Sequence, residues 1–346
     1  MRDLVEQLAY NRRLDNASLK ALLNGCVTNE HLLQLLRDYA VRTAREQFGR
    51  GVYVRGLIEV SSSCRNDCLY CGLRCSNTAA ERYRLSDEQI LECCREGYAA
   101  GFRTFVLQGG EDMAFSDNRL EGLIGRIRAE FTDAAITLSL GERSEESYRR
   151  LRDAGADRYL LRHEAASKTL YEKLHPQSMS WENRMRCIEV LKRIGFQTGV
   201  GMMVGAPYQS VSDLADDLMF IQRIEPEMIG IGPFIPHCAT PFSAHPAGSL
   251  RLTYLLLAIV RIMHPKALIP ATTALATLSA DGRREGILSG ANVVMPNLSP
   301  SEVRNKYVIY DGKANRGSEA AEGLALLEQE LNEIGYRVDY SRGDYR

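Results

Sequence analysis

The sequence predicts a (β/α)8 barrel: a closed ring of parallel strands, helices outside it, and helical extensions at both ends. Three observations predict it. Eight strand-like segments lie between residues 53 and 296, and helical segments separate them. Such alternation belongs to parallel strands joined by right-handed crossovers. The strands run into glycine and polar residues, as strands delivering side chains to one barrel mouth do. Nothing resembling a linker, a low-complexity tract or a short repeat interrupts the 346 residues. The expected organisation is a helical extension over 1–50, one barrel over 51–300, and an extension over 301–346 packed on that barrel. An open or partial barrel is the alternative.

The elements follow in order. The first fifty residues read as helices: "NEHLLQLLRDYAVRTAREQFG" (29–49) repeats apolar residues at steps of three and four and stops at Gly49. "YVRGLIEVS" (53–61) is the first strand. "SDEQILECCREGYAAG" opens with a capping-box pattern, Ser86 to Gln89, and stops at Gly101. "TFVLQ" (104–108) is a strand, 118–130 a helix, "AITLSL" (135–140) a strand, 144–154 a helix and "RYLLR" (158–162) a strand. A helix over 181–194 precedes "QTGVGMMVG" (197–205), and one over 212–224 precedes "EMIGIG" (227–232). A helix over 249–263 precedes "ALIPA" (267–271), and one over 280–288 precedes "ANVVMP" (291–296). The tail "SEAAEGLALLEQELNEIGYRVDY" reads as an amphipathic helix against the barrel.

The C-terminal ends of these strands should carry the chemistry. They bear the cysteines after 61, then Gly109, Gly110 and Glu111, then Thr137, Ser139, Gly141, Glu142 and Arg143. Further ends bear Arg162, His163 and Glu164, then Gly205, "GPFIPH", Thr272 with Thr273, and Asn297. Arg162 and Glu164 are two apart, hence on one face of an extended chain. A large polar ligand site is the expectation.

Lys plus Arg total 43 and Asp plus Glu 44, a balance that argues against a general nucleic-acid or membrane-surface binder. No run has the length of a membrane-spanning helix, and the N-terminus lacks the apolar stretch of a signal peptide. The nine cysteines are an odd number. A reducing cytoplasm, with clustered cysteines serving metal or catalysis, is the expected setting.

Four of those cysteines crowd into "SSSCRNDCLYCGLRCSN" (61–77): Cys64, Cys68 and Cys71 as C-x3-C-x2-C, then Cys75. Thiolates in one loop bind zinc or an iron–sulfur cluster. Structural zinc would use two separated pairs, and no second pair exists. Three cysteines on a cubane would leave one iron open to a small molecule. Arg65 and Arg74 beside them are expected to lower the thiol pKa values. Cys93, Cys94 and Cys187 fall within helices and read as small apolar fillers.

C-x3-C-x2-C with an aromatic, Tyr70, before the last cysteine resembles the signature of the radical S-adenosylmethionine (SAM) enzymes. The resemblance extends to "CLYCGLR", "VLQGGED", "TLSLGE", "AGADRYLLRHE", "WENRMRC", "MVGAPYQS", "IGIGPFIPH", "IPATTA" and "GANVVMPN". These blocks, in order over about residues 55 to 300, are similar to the FeFe-hydrogenase maturases of the HydE type. Biotin synthase and methylornithine synthase (PylB) share the architecture; the second-cluster cysteines of biotin synthase have no counterpart here.

The resemblance implies the roles. Cys64, Cys68 and Cys71 would ligate one 4Fe–4S cluster whose open iron takes SAM, leaving Cys75 a bystander. Tyr70 would lie near the adenine. Gly109, Gly110 and Glu111 would meet the SAM amino group, and Ser139, Glu164 and Arg184 would bind SAM as well. A guanidinium fork at Arg184 suits a carboxylate. Thr137, Arg162, Met228, Thr272, Thr273 and Tyr310 would line a substrate cavity with Ser139. SAM would be cleaved to methionine and a 5′-deoxyadenosyl radical acting on a cysteine-bound Fe(CO)2(CN) precursor of the hydrogenase H-cluster. Partners would be HydG-like and HydF-like maturases and a reducing electron donor, under anaerobic conditions. No cysteine follows Cys238, so the second, C-terminal cluster of some relatives is not expected. A PylB-like mutase acting on an amino acid, and a non-catalytic iron–sulfur or zinc protein, are the competing readings.

Other polar residues carry less. His163 is balanced between a catalytic and a hydrogen-bonded structural role. His237 reads as a loop-positioning residue, and Asp216 and Asp217 as solvated helix residues.

Overall fold

A computed structural model describes residues 1–314 and 317–345. The strands are β1 (Gly51–Val54), β2 (Gly56–Ser61), β3 (Thr104–Gly109), β4 (Ala135–Ser139), β5 (Arg158–Leu160), β6 (Gln197–Val204), β7 (Met228–Pro233), β8 (Val293–Val294) and β9 (Arg337–Asp339). β2 to β7 form a six-stranded sheet in chain order, every pair parallel.

Two segments close this sheet into a ring. Leu268 bridges Met228 on β7, Pro270 bridges Val293, and Asn297 bridges Leu57 on β2, all parallel. The Ala271 amide donates to Val293 (2.9 Å) and the Leu57 amide to Pro296 (2.9 Å). The architecture is thus the expected (β/α)8 barrel. One element departs from expectation: "ALIPA" forms bridges and no regular strand. Pro270 has no N–H to give a ladder, so pairing is interrupted there.

Serines start the outer helices. Ser86 and Gln89 form the expected capping box at Asp87–Ala99, and Ser116, Ser144, Ser180 and Ser249 each accept a hydrogen bond from the amide three residues on. Helices Lys168–Leu174 and Thr273–Leu278 were not foreseen; seven and six residues give too few turns for a periodic signal.

Three N-terminal helices, Arg2–Asn11, Asn16–Val27 and Glu30–Phe48, cover one flank. Glu30–Phe48 buries Leu32, Leu33, Leu36, Ala40 and Ala44 and packs on helix Leu250–Met263. The tail helix is shorter than expected, Leu324–Glu333, with Leu327 and Leu331 buried. Beyond Gly335 (φ +77°) the chain becomes β9 and pairs with β1, which pairs on its other side with β8. The tail then crosses the N-terminal end of the barrel, where the fully buried Arg158 guanidinium donates to the carbonyls of Arg342 and Gly343 (both 3.1 Å) and to Asp344 (2.8 Å). Residues 315, 316 and 346 of the expected extension lie outside the described residues.

Candidate active site

The cysteine loop leaves the end of β2 and is held by hydrogen bonds to its backbone. Arg82 does most of this. Its guanidinium donates to the carbonyls of Ser62 (2.5 Å), Leu73 (2.9 Å), Arg74 (2.7 Å) and Asn77 (3.1 Å). Arg74 grips Asp67 through two bonds, 2.8 and 2.6 Å, which hold the Asp67 carboxyl well below its usual range. Gly110, at the end of β3, closes against the loop so tightly that a Cβ there would lie 2.3 Å from the Ser63 carbonyl and 2.7 Å from Cys64 Cβ. Only glycine allows this approach.

Cys64, Cys68 and Cys71 are partly buried and Cys75 is exposed. Burial raises all three thiol pKa values, Cys71 to about 12. This corrects the expectation of lowered values. Arg65 and Arg74 do not lower them because each is paired, with Glu111 (3.1 Å) and Asp67 (2.6 Å). Desolvation then outweighs distant charge.

Among the described residues, the one trio of His, Cys, Asp or Glu ligand atoms within 4.8 Å of one another is His237, Cys238 and Asp311. The loop cysteines stand wider than that, whereas a tetrahedral zinc with ~2.3 Å bonds needs its sulfurs about 3.8 Å apart. A cluster that spreads its ligands over separate irons fits them better. At the His237 trio, the Ala239 amide donates to His237 Nδ1 (3.0 Å), which leaves the ring proton on Nε2, facing Asp311 at 3.8 Å. The trio is a hydrogen-bonded corner of the β7 loop.

Polar residues gather beside the cysteines. Glu111 accepts the Glu142 amide (2.9 Å), and Glu142 accepts from Arg184 (2.6 Å) and Asn183 (2.5 Å). Arg184, almost fully buried, also donates to the Arg162 carbonyl (2.6 Å). A rim cleft of about 570 Å³ opens here, lined by Arg65, Glu111, Glu142, Arg143, Asn183 and Arg186 among others. Tyr70 reaches the other way, its hydroxyl 3.1 Å from His175. Glu164 has a left-handed backbone, φ +62°, a costly conformation for a side chain with a Cβ. Its amide is held by the Gly201 carbonyl (3.0 Å), and its carboxylate lies 3.2 Å from Arg162.

Inside the barrel, buried polar atoms lack partners: Thr137 Oγ1, Arg162 Nη2, Glu164 Oε2, Thr272 Oγ1 and the Nε of Arg55. Unpaired buried polar atoms are costly, and a polar ligand is what would satisfy them. Met228 is deeper, its sulfur 3.2 Å from Arg55. Ser139 is partly buried at the end of β4, and Tyr310 at the mouth has its phenol pushed up by burial, with Glu59 and Arg162 among the charges that reach it. Thr273 is already engaged, donating to Glu319 (2.8 Å).

Sequence reasoning missed several buried charges. Glu59 on β2 is fully buried and paired with Lys313 and Asn297; a lone carboxylate in "GLIEVS" was the available signal. Asp217 is also fully buried, which corrects its reading as solvated, and burial raises its carboxyl pKa. It accepts the Ala166 amide (2.6 Å) and lies 3.3 Å from His163, itself wholly buried with its ring 4.6 Å from that of Phe220. His163 thus sits between Asp217 and the Phe220 ring, directly before the Glu164 turn. Asp216, beside it, accepts from Asn16 (2.7 Å).

Comparison with known proteins matches this arrangement. The family model described as the radical SAM superfamily matches residues 58–221. The chain is 43% identical to the [FeFe] hydrogenase maturase subunit HydE of Thermotoga maritima, over 90% of this chain and 88% of that protein. This chain belongs to the HydE family of the radical SAM superfamily. Among solved structures, methylornithine synthase (PylB) superposes on this HydE-family chain with a TM-score of 0.83, 25% identity and 97% coverage of both chains. The maturase HydG superposes with a TM-score of 0.83 at 20% identity, covering 99% of this chain and 77% of its own, a likeness of fold. Membership makes the chain a radical SAM enzyme of hydrogenase maturation, whose family works with a 4Fe–4S cluster and SAM. No helix among the described residues is long and apolar enough to cross a membrane.

Proposed function

We propose that Cys64, Cys68 and Cys71 hold one 4Fe–4S cluster with an open iron for SAM, and that the barrel interior receives a cysteine-bound iron carbonyl–cyanide complex. The observation that carries this reading is the set of unpaired buried atoms on Thr137, Arg162, Glu164 and Thr272 together with three spaced, partly buried thiols. When bound, the cluster supplies the electron that splits SAM into methionine and a 5′-deoxyadenosyl radical.

The chain's own residues do the rest. Arg184, fixed by Glu142, offers its charge to the SAM carboxylate. Gly109, Gly110 and Glu111 edge the amino end, and Tyr70 borders the adenine. Ser139 and Glu164 face the same space. Arg162 with Thr137 and Thr272 suits an anionic, carboxylate-bearing substrate, over a floor that includes Met228 and beside Tyr310 and Thr273. The buried walls keep water and stray hydrogen donors from a radical. HydG-like and HydF-like maturases are the proposed source and destination of substrate and product, with a separate reducing donor, in the cytoplasm. The domain division at residues 50 and 300 belongs to the same proposal.

The likeness to PylB favours one alternative, a mutase of amino-acid skeletons. The test is anaerobic. The reconstituted, reduced protein receives SAM with either a cysteine-bound iron carbonyl–cyanide complex or lysine. An adenosylated sulfur product with the iron complex alone supports the proposal. Conversion of lysine supports the mutase, and absence of SAM cleavage in every sample refutes both.

A further inference from the structure

Helix Lys168–Leu174 and His175 lie against the cysteine loop, and no role above uses them. The Leu69 amide donates to the Leu174 carbonyl (3.0 Å), and Cys68 Sγ is 3.7 Å from Met179 Sδ. Leu69, Tyr70, Met179 and Trp181 pack on an apolar cluster that contains Leu170, Tyr171 and Leu174. The helix thus reports directly on the loop's position.

Tyr171 is its most informative residue. It is fully buried, yet its hydroxyl has no hydrogen-bond partner. A buried hydroxyl in that state is costly unless something binds to it. The ring lies 5.8 Å from the Arg184 guanidinium carbon. The charged groups that reach the phenol, Arg184, Glu142 and Glu164, belong to the cleft between cysteine loop and barrel mouth. The ring cannot swing away, because His175 stacks on it with centroids 3.9 Å apart and planes 22° from parallel.

His175 is fixed in turn. Its Nδ1 faces the Tyr171 carbonyl at 2.8 Å, which can only accept, so Nδ1 carries the proton. Its Nε2 must then accept, and the Tyr70 hydroxyl, 3.1 Å away, donates to it. Tyr70 and Tyr171 are oriented through one neutral imidazole, and only the Tyr171 hydroxyl is left free.

We propose that Tyr171 is a further SAM-binding residue, donating its hydroxyl to the carboxylate that Arg184 faces, and that His175 is the positioning residue which holds its ring. The inference rests on the reading of the site as a SAM site. A phenol beside a guanidinium supplies a second, directional donor to one carboxylate.

The test is Tyr171→Phe in the cluster-reconstituted protein, titrated with SAM, with S-adenosylhomocysteine and with 5′-deoxyadenosine. Iron content is expected to stay unchanged. SAM and S-adenosylhomocysteine, which carry the carboxylate, should each bind about tenfold or more weakly, the loss for a hydrogen bond to a charged group. 5′-Deoxyadenosine, which lacks the carboxylate, should bind as before. Without SAM the variant's melting temperature should be equal or higher, because an unpartnered buried hydroxyl is gone. His175→Gln should weaken SAM binding too. Unchanged SAM affinity in Tyr171→Phe, equal weakening of all three ligands, or a lower melting temperature with no ligand discrimination would overturn the assignment. If the wild-type holoprotein binds no SAM, the reading beneath it falls first and this inference with it.

Discussion

Gly110→Ala is the most direct probe of how the barrel positions the cysteine loop. A Cβ at residue 110 would sit 2.3 Å from the Ser63 carbonyl, 2.7 Å from Cys64 Cβ and 3.0 Å from Cys64 Cα. These atoms are backbone or next to it, so no flexible chain end can yield. Moving the carbonyl from 2.3 Å to an ordinary 3.4 Å displaces the segment carrying Cys64 by about 1.1 Å. Overpacking of this kind costs about 1–3 kcal/mol, which a domain of this size survives. A catalytic group misplaced by about 1 Å loses roughly 10²-fold in rate. The assay pairs iron content and melting temperature with SAM cleavage after anaerobic reconstitution. The expected result is a folded protein with reduced iron and cleavage down roughly 100-fold. Gly122→Ala is the matched control. It lies in helix Asp117–Glu130 with nothing within 4 Å of an added Cβ. It should stabilise by about 0.5–1 kcal/mol and leave cleavage intact. Full iron and full cleavage in Gly110→Ala would refute the argument that this glycine sets the loop.

Three further outcomes are expected. Arg82→Ala frees four loop carbonyls at once and should reduce iron incorporation far more than it lowers the melting temperature, with Arg82→Lys recovering little because an ammonium cannot reproduce the fork. Lys313→Met leaves the buried Glu59 carboxylate without its cation and should destabilise by about 3–5 kcal/mol in denaturant unfolding, while adding Glu59→Gln should restore most of that. Burial, followed by the Arg184 charge, lowers the His175 pKa from 6.5 to about 3. The unfolded chain then binds a proton below pH 6.5 that the native protein refuses, so stability present above that pH is lost progressively as pH falls toward 3. Between pH 7 and 5 the loss is about 2 kcal/mol by that linkage, and denaturant unfolding of His175→Gln should lack that part of the acid slope; an identical slope would contradict it.

Local patterns made most of the fold legible. Strand and helix periods of 2 and 3.6 show within windows of a dozen residues, and Ser86 with Gln89 or Gly49 mark ends within one turn. The three loop cysteines were equally legible because their spacing is local. Short elements were not: "ALIPA" carries a strand composition that Pro270 breaks, and Lys168–Leu174 is too brief to be periodic.

By itself the sequence determined the order of strands and helices, the set of polar groups at the strand ends, and the thiols available to a cluster. The tertiary structure decided which charges are neutralised and which polar atoms stay unpaired. Glu59 meets Lys313 across 254 positions, so no window contains both. Asp217 looks like any helix carboxylate until its helix packs against β6, where burial and the His163 ring take over its environment. The thiols were expected to be acidic from their arginine neighbours, yet those arginines pair with Asp67 and Glu111, and desolvation prevails. Tyr171 is one more tyrosine in the sequence; only the packed structure leaves its hydroxyl unpartnered beside Arg184. Charge and burial act through space, and the chain fixes its neighbours in space only once it has folded.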